Sequence, residues 1–182
     1  MFWAGFGHNI RTDLVTMIGN PESARGRVLA RPVVETFDRY HRDFIRLGDI
    51  FMLDNASVYT ARITPTFLRN LQQEIPFTVM DWPPHLPNVN PIENIWKLLK
   101  QGVYVKHPEL QIALDTKETR LFIIRVARGV WNDLQVDIPN HLSDTMPHRV
   151  DGLIEAGAGT PWTKLLLCPC EMICRTVAPA SP

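Results

Sequence analysis

Two carboxylates occupy positions in the sequence that suit metal-dependent chemistry. Asp54 follows the apolar run Ile50–Leu53, which is too short for a helix and predicts a strand buried on both faces. Glu93 lies in the first turn of a helix that opens at Asn90-Pro91. Carboxylates that converge at a sheet edge can hold Mg²⁺ ions that promote phosphodiester cleavage. A plainer interpretation also stays open, with Asp54 as a turn residue and Glu93 as half of a capping box.

Turn residues and hydrophobic spacing outline the elements that would position these carboxylates. The predicted strands lie at residues 1–7, 13–18, 50–53 and 77–80. The predicted helices lie at residues 23–47, 60–73, 90 onwards, 119–134 and 139–156. This order of strands and helices predicts an α/β fold with a mixed sheet flanked by helices.

The bulk composition is that of a globular chain. Hydrophobic residues make up 45% and charged residues 21% of the 182 residues, which argues against general disorder. The chain has 19 basic residues (lysine and arginine) and 19 acidic residues (aspartate and glutamate). This balance gives no support to a nucleic-acid partner, which would have to bind to a local basic face. No apolar run is long enough to span a bilayer, and no signal peptide opens the chain, so we expect an intracellular protein without a membrane partner.

The last part of the sequence differs in character from the rest. Residues beyond about Thr160 show no clear period, and we interpret 157–182 as a disordered or unrelated tail after a domain at 1–156. All three cysteines lie in this tail. They are fewer than the four ligands of a closed zinc site, so the sequence indicates incidental cysteines.

Several short motifs, all in the order that the family shows, resemble the mariner superfamily of transposases. They are Phe51-Met-Leu-Asp-Asn-Ala56, Thr60-Ala-Arg-Ile-Thr64, Asp81-Trp-Pro-Pro84, Asn90-Pro-Ile-Glu-Asn94 and Trp96-Lys-Leu-Leu-Lys100. The opening Phe2-Trp-Ala-Gly-Phe6 is similar to the family's Trp-Gly strand. The resemblance covers about residues 1–156.

This resemblance implies an RNase H-like fold and a catalytic trio of two aspartates and one glutamate that binds Mg²⁺ or Mn²⁺. Asp54 matches the second aspartate of the trio, and Glu93 matches the glutamate. The implied activity is hydrolysis of DNA at transposon ends, followed by attack of the freed 3′-hydroxyl on target DNA. The implied partner is DNA and the implied location is the nucleus. Because such transposases act as dimers, a homodimer is a further expectation.

The sequence departs from the family pattern in ways that bear on activity. The family's first aspartate lies on a central strand upstream of the Trp-Gly strand, and this sequence begins at the latter, so we expect the sheet to lack its first central strand. Tyr59 and Asn88 replace a histidine and an aspartate that are common in the family, and the 38 residues between Asp54 and Glu93 exceed the usual spacing. We therefore expect a domain that is inactive alone. The alternatives are a co-opted, non-catalytic DNA- or protein-binding module and a decayed copy without function.

Two lysines follow Glu93 on the same predicted helical face. Lys97 and Lys100 lie four and seven positions after it, away from the apolar stripe. They could contact DNA phosphates beside the metal site, which would make binding sensitive to salt. The equally weighted alternative is an ordinary solvated face with a Glu93–Lys97 pair.

Overall fold

The computed structural model describes residues 1–22, 27–54, 56–80, 90–155 and 174–180. The strands are β1 Phe2–Gly7, β2 Ile10–Arg11, β3 Val15–Thr16, β4 Ile50–Leu53, β5 Thr78–Met80 and β6 Cys174–Ala180. The helices are α1 Ala30–Phe44, α2 Ser57–Thr60, α3 Ile63–Glu74, α4 Pro91–Lys106, α5 Lys117–Asp133, α6 Asp137–Asp144 and α7 Met146–Glu155. A 3₁₀ turn, Pro108–Gln111, follows α4. No helix among these residues is long and apolar enough to cross a membrane.

The strands form one mixed sheet in the order β2-β1-β6-β4-β5, and β3 also pairs with β1. β1 runs antiparallel to β2, β3 and β6, whereas β4 runs parallel to both β6 and β5. The β1–β2 turn contains Asn9 at φ 59°, in the left-handed region that asparagine tolerates better than most residues. The α/β class with a mixed sheet is therefore confirmed.

The centre of the sheet differs from the sequence-based expectation. We expected a missing central strand and a disordered or unrelated tail after residue 156. Instead, the seven residues of β6 lie between β1 and β4. The central position that we expected to be empty is therefore occupied, because backbone pairing with strands distant in sequence requires no hydrophobic period in β6 itself. The rest of the tail lies outside the described residues, and the domain bounds remain a prediction.

Helices cover both faces of the sheet, and the residues of β1 alternate between two cores. Trp3 packs with the side chains of α1 and α3 on one face, while Ala4 and Phe6 pack with α4 and α5 on the other. All four residues of β4 are buried, which confirms the prediction from its continuous apolar run. On the α4 face, Trp96 stacks on Trp131 with ring centroids 6.1 Å apart, so Trp96 is a core residue.

Two predicted helices are interrupted in the structure. The helix predicted at 60–73 is divided into α2 and α3, and the helix predicted at 139–156 is divided into α6 and α7. The second break falls at Thr145, and Pro147 follows in the first turn of α7, where its missing amide donor is tolerated. Gly48, at φ 84°, lies beyond the end of α1 in the turn before β4, since α1 already ends at Phe44.

The close approach of α4 and α5 provides a stability test. A Cβ atom added at Gly102 would lie 2.5 Å from Cγ1 of Val130, whereas one added at Gly129 would meet nothing within 4 Å. We predict that Gly102→Ala destabilises the fold by about 1–3 kcal/mol, because overpacking outweighs the better helix propensity of alanine. Gly129→Ala is the matched control and should stabilise by roughly 0.5–1 kcal/mol. Urea denaturation measures both, and equal stabilisation by the two variants would contradict this packing.

Candidate active site

Asp54 lies directly after the buried strand β4 and is half-buried. Its Oδ1 accepts a hydrogen bond from the backbone N–H of Ala56 at 2.9 Å, so the predicted turn role is confirmed. That bond fixes the orientation of the carboxylate and occupies one oxygen. Among the described residues the second oxygen has no hydrogen-bond partner, so it remains able to bind a ligand.

Glu93 is the third residue of α4 and is also half-buried. The helix begins as predicted, with Pro91 at its first position and with Asn90 as the cap whose side chain accepts from Ile92 N at 3.3 Å. Among the described residues no bond returns from the Glu93 carboxylate to Asn90, so only half of the predicted capping box forms. The Glu93 carboxylate therefore does not serve as a helix cap in this part of the chain and can still bind a ligand.

The two carboxylates interact electrostatically. Burial raises the pKa of Asp54, and the Ala56 N–H opposes the rise because it favours the charged form. Burial also raises the pKa of Glu93, and the negative charge of Asp54 raises it further. The structure therefore brings together the two residues that the sequence singled out, in an arrangement where each resists ionisation and a cation would relieve the repulsion.

The donor set suits a hard divalent cation. Asp54 and Glu93 offer carboxylate oxygens, and Mg²⁺ is commonly held by one or two carboxylates while it keeps several waters. Among the described residues no group of three or more His, Cys, Asp or Glu side chains could hold a metal. Asp54 and Glu93 could supply carboxylate ligands to such a cation, with water or substrate as further ligands.

Tyr59 is buried beside this pair, 4% exposed. Burial raises its pKa well above the ordinary tyrosine value, and the charge of Asp54 acts in the same direction. The Trp3 indole lies close enough to oppose the rise slightly, yet no well-formed hydrogen bond joins the two groups, and both polar atoms are buried without partners. The Tyr59 hydroxyl therefore stays protonated and neutral, because a phenolate charge buried beside Asp54 would be costly.

A cleft of about 480 Å³ opens next to Asp54. Besides apolar side chains, Thr60, Arg69 and Gln72 line it. Sequence reasoning did not select Arg69 or Gln72. The sequence feature that could have identified them is their three-residue spacing on α3, because it places both side chains on one helical face.

Lys97 and Lys100 are both exposed on α4, as expected for either interpretation of this face. No ion pair joins Glu93 to Lys97 among the described residues, so the Glu93–Lys97 pair of the alternative interpretation does not form. Lys97 instead lines a groove of about 560 Å³ between α4 and α6, together with Asp137 and His141. Both lysines therefore remain available to an anionic partner.

Some predicted features lie outside the described residues. They are the Asp81-Trp-Pro-Pro84 motif, Asn88 and the pair Cys168 and Cys170. Cys174 belongs to β6.

Comparison with known proteins identifies the family. A model of the DDE superfamily endonuclease family matches residues 16–110, a segment that contains both Asp54 and Glu93. The Tc3 transposase of Caenorhabditis elegans is 30% identical over 117 residues, which cover 64% of this chain and 31% of that protein. The Tc1 transposase of the same organism is 26% identical over 112 residues, 60% of this chain and 35% of that protein. No solved structure matches.

The chain belongs to the DDE superfamily of endonucleases, since the family model matches more than half of it. It is a transposase-derived domain with homologues among the Tc1 and Tc3 transposases. The chain spans about a third of the length of these curated relatives, 31% and 35%.

The raised pKa of Glu93 predicts a pH-dependent effect of its neutralisation. A carboxyl whose pKa is higher in the folded protein favours folding at low pH, and this contribution is lost as pH rises from about 4.3 through the folded value. Glu93→Gln removes this penalty, and because Glu93 is only half-buried and solvent screens its charge, we expect a gain of roughly a few tenths of a kcal/mol at pH 7 and none below about pH 4. Denaturation at several pH values measures the difference.

Glu118→Gln is the matched control for this substitution. Glu118 also lies in the first turn of a helix, α5, but is exposed. Its loss removes the favourable contact with the helix N-terminus and should cost about 0.3–0.5 kcal/mol. A loss of similar size in Glu93→Gln at pH 7 would show that burial and Asp54 do not penalise the Glu93 charge.

Proposed function

We propose that this chain is part of a mariner-type DDE transposase, with an RNase H-like domain formed by residues 1–156 together with the central strand β6. In this proposal Asp54 is the second aspartate of the catalytic trio and Glu93 is the glutamate. The reaction of the whole transposase is metal-dependent DNA cleavage at transposon ends, followed by strand transfer to target DNA. The observation that carries the proposal is that Asp54 lies close enough to Glu93 for its charge to raise the Glu93 pKa, inside the segment that matches the family.

The roles of the residues follow from their positions. A bound Mg²⁺ or Mn²⁺ would supply Lewis acidity toward a DNA phosphate and would activate the attacking water or 3′-hydroxyl. Asp54 is held at the carboxyl end of β4 by its bond from Ala56, and Glu93 is held by the capped start of α4. Positioned in this way, the backbones of both residues would place their carboxylates where each could offer oxygens to the metal, and the Asp54 side chain is also oriented by its hydrogen bond.

The chain as given is proposed to be inactive alone. Three or more potential ligands do not cluster among the described residues, and the central strand Cys174–Ala180 contains no acidic residue. The nucleus as location, DNA as partner and a homodimer as assembly belong to the same proposal. A co-opted DNA-binding module is the second candidate, favoured by Lys97 and Lys100, which are exposed and form no ion pair with any described residue, beside fewer than three clustered metal ligands in the same part of the chain.

Metal binding and nicking test this proposal together. We predict that the chain binds Mn²⁺ weakly, on the order of 1 mM, because only two protein carboxylates contribute. Asp54→Asn should weaken binding by about tenfold or more. Asp43→Asn, which changes an exposed aspartate on α1, should leave it unchanged. Titration followed by the paramagnetic resonance of free Mn²⁺ measures the binding.

Each outcome of this experiment has a separate meaning. Equal Mn²⁺ binding by the unchanged chain and Asp54→Asn would reject the metal site. We also expect the unchanged chain to nick supercoiled DNA no faster than Asp54→Asn in Mg²⁺ or Mn²⁺. Nicking that depends on Asp54 would leave the metal site intact and reject the proposed inactivity.

The lysine face predicts the salt dependence of DNA binding. Lys97→Ala and Lys100→Ala should each weaken binding to duplex DNA and reduce the slope of log affinity against log salt by about 0.9, as for one lost phosphate contact. Lys106→Ala is the matched control on the same helix, because Lys106 is already paired with Asp133 at 2.5 Å. Fluorescence anisotropy at several salt concentrations measures the slopes, and equal slopes for all three variants would contradict a DNA-facing role.

A further inference from the structure

The central strand β6 is bonded on both sides to strands that are far from it in sequence. Thr176 lies opposite Phe6 of β1 in an antiparallel ladder and beside Met52 of β4 in a parallel ladder. β1 has β2 and β3 on its other side, and β4 has β5. Without β6, the facing edges of β1 and β4 would each present a row of unpaired backbone donors and acceptors.

We propose that the gap between β1 and β4 is a binding slot for one extended peptide strand, and that the chain's own segment Cys174–Ala180 is the ligand that fills it. Recognition is by main-chain hydrogen bonds on two sides, as in binding by strand addition. The helix α4 lies against the same strand and bounds the slot on one face. The slot is distinct from the carboxylate pair and does not depend on metal binding.

The single proline in the strand lies where the slot allows it. Pairing of β6 with β4 ends at Val177, opposite Leu53, whereas pairing with β1 continues to Ala180. Pro179 therefore falls in the part of the strand that has a neighbour on one side only. A proline lacks the N–H that a ladder needs and is confined to such edge positions. The doubly paired part, Thr176 and Val177, is free of proline.

The chain's own segment is favoured as the ligand by its attachment. Residues 156–173 connect the end of α7 to β6, so the strand is tethered to the body of the chain. A tether makes strand binding intramolecular, which raises the effective concentration of the strand at the slot. A short strand with weak intrinsic affinity can therefore occupy the slot when it belongs to the same chain.

Hydrogen exchange on the full chain tests the slot. We expect backbone amides at 174–177 to exchange at least about tenfold more slowly than in a free peptide of the same sequence. Thr176→Pro, which removes an amide at a doubly paired position, should abolish this protection and also reduce protection in β1 and β4. Thr176→Ala keeps the amide and is the matched control. Exchange at 174–177 as fast as in the free peptide would overturn the proposal.

Addition of the strand in trans distinguishes a binding slot from a merely destabilised sheet. A synthetic peptide of residues 174–180 added to the full-length Thr176→Pro variant should restore protection in β1 and β4 in a saturable way. A peptide of the same composition in scrambled order with proline at its third position should not. Failure of the unscrambled peptide to restore protection at any concentration would count against the slot.

A disulfide cross-link tests the register of β6 without the proline substitution, so it remains informative if the Thr176→Pro variant does not fold. Ala4 lies opposite Ala178, so Ala4→Cys with Ala178→Cys should form a disulfide once the three native cysteines are changed to serine. Ala4→Cys with Ala180→Cys is offset by two residues and should not. Mass spectrometry of unreduced peptides identifies the bond, and equal cross-linking of both pairs would overturn the proposed register.

Discussion

The described structure depends on keeping β4 hydrogen-bonded on both sides. β4 has only four residues, all buried, and it ends at the carboxylate that the candidate site requires. A buried strand with an unpaired edge would leave amide and carbonyl groups without partners, at a cost of about 1–3 kcal/mol for each group. Parallel pairing with β5 on one side and β6 on the other removes that cost. The position of Asp54 is therefore set by pairing that comes from two distant parts of the sequence.

The same burial that stabilises β4 makes the site beyond its end electrostatically unfavourable. Asp54 and Glu93 both have raised pKa values, and the unpartnered hydroxyl of Tyr59 is buried beside Asp54. A site optimised for stability alone would not gather these groups in one place, because the charge of Asp54 disfavours ionisation of both Glu93 and Tyr59. Clusters of this kind mark functional sites with moderate specificity. Here the family match supplies the independent support.

The features predicted correctly from the sequence are those with local causes. The apolar run before Asp54 specified β4, and Asn90-Pro91 specified the start of α4, because strand burial and helix capping are encoded within a few residues. The position of β6 could not be predicted in this way. Its pairing with β1 and β4 depends on backbone groups distant in sequence, and its residues carry no period that distinguishes a strand from a tail. The burial of Tyr59 was missed for the same reason, since it depends on Trp3 and Phe37.

The register of β6 links the fold to the chemistry of the site. Because Val177 lies opposite Leu53, residue 178 lies level with Asp54 at the end of the parallel ladder. In this register an acidic residue at position 178 would lie at the same end of the ladder as Asp54. The segment that fills the slot has alanine there and no acid anywhere between Cys174 and Ala180. A strand can therefore satisfy the backbone of β1 and β4 without contributing a metal ligand, because hydrogen bonding in the sheet constrains the main chain and leaves the side chain free to vary. Folding and a complete metal site therefore place separate demands on the strand between β1 and β4. A strand that pairs on both sides meets the first demand, and its side chains decide whether the second is also met.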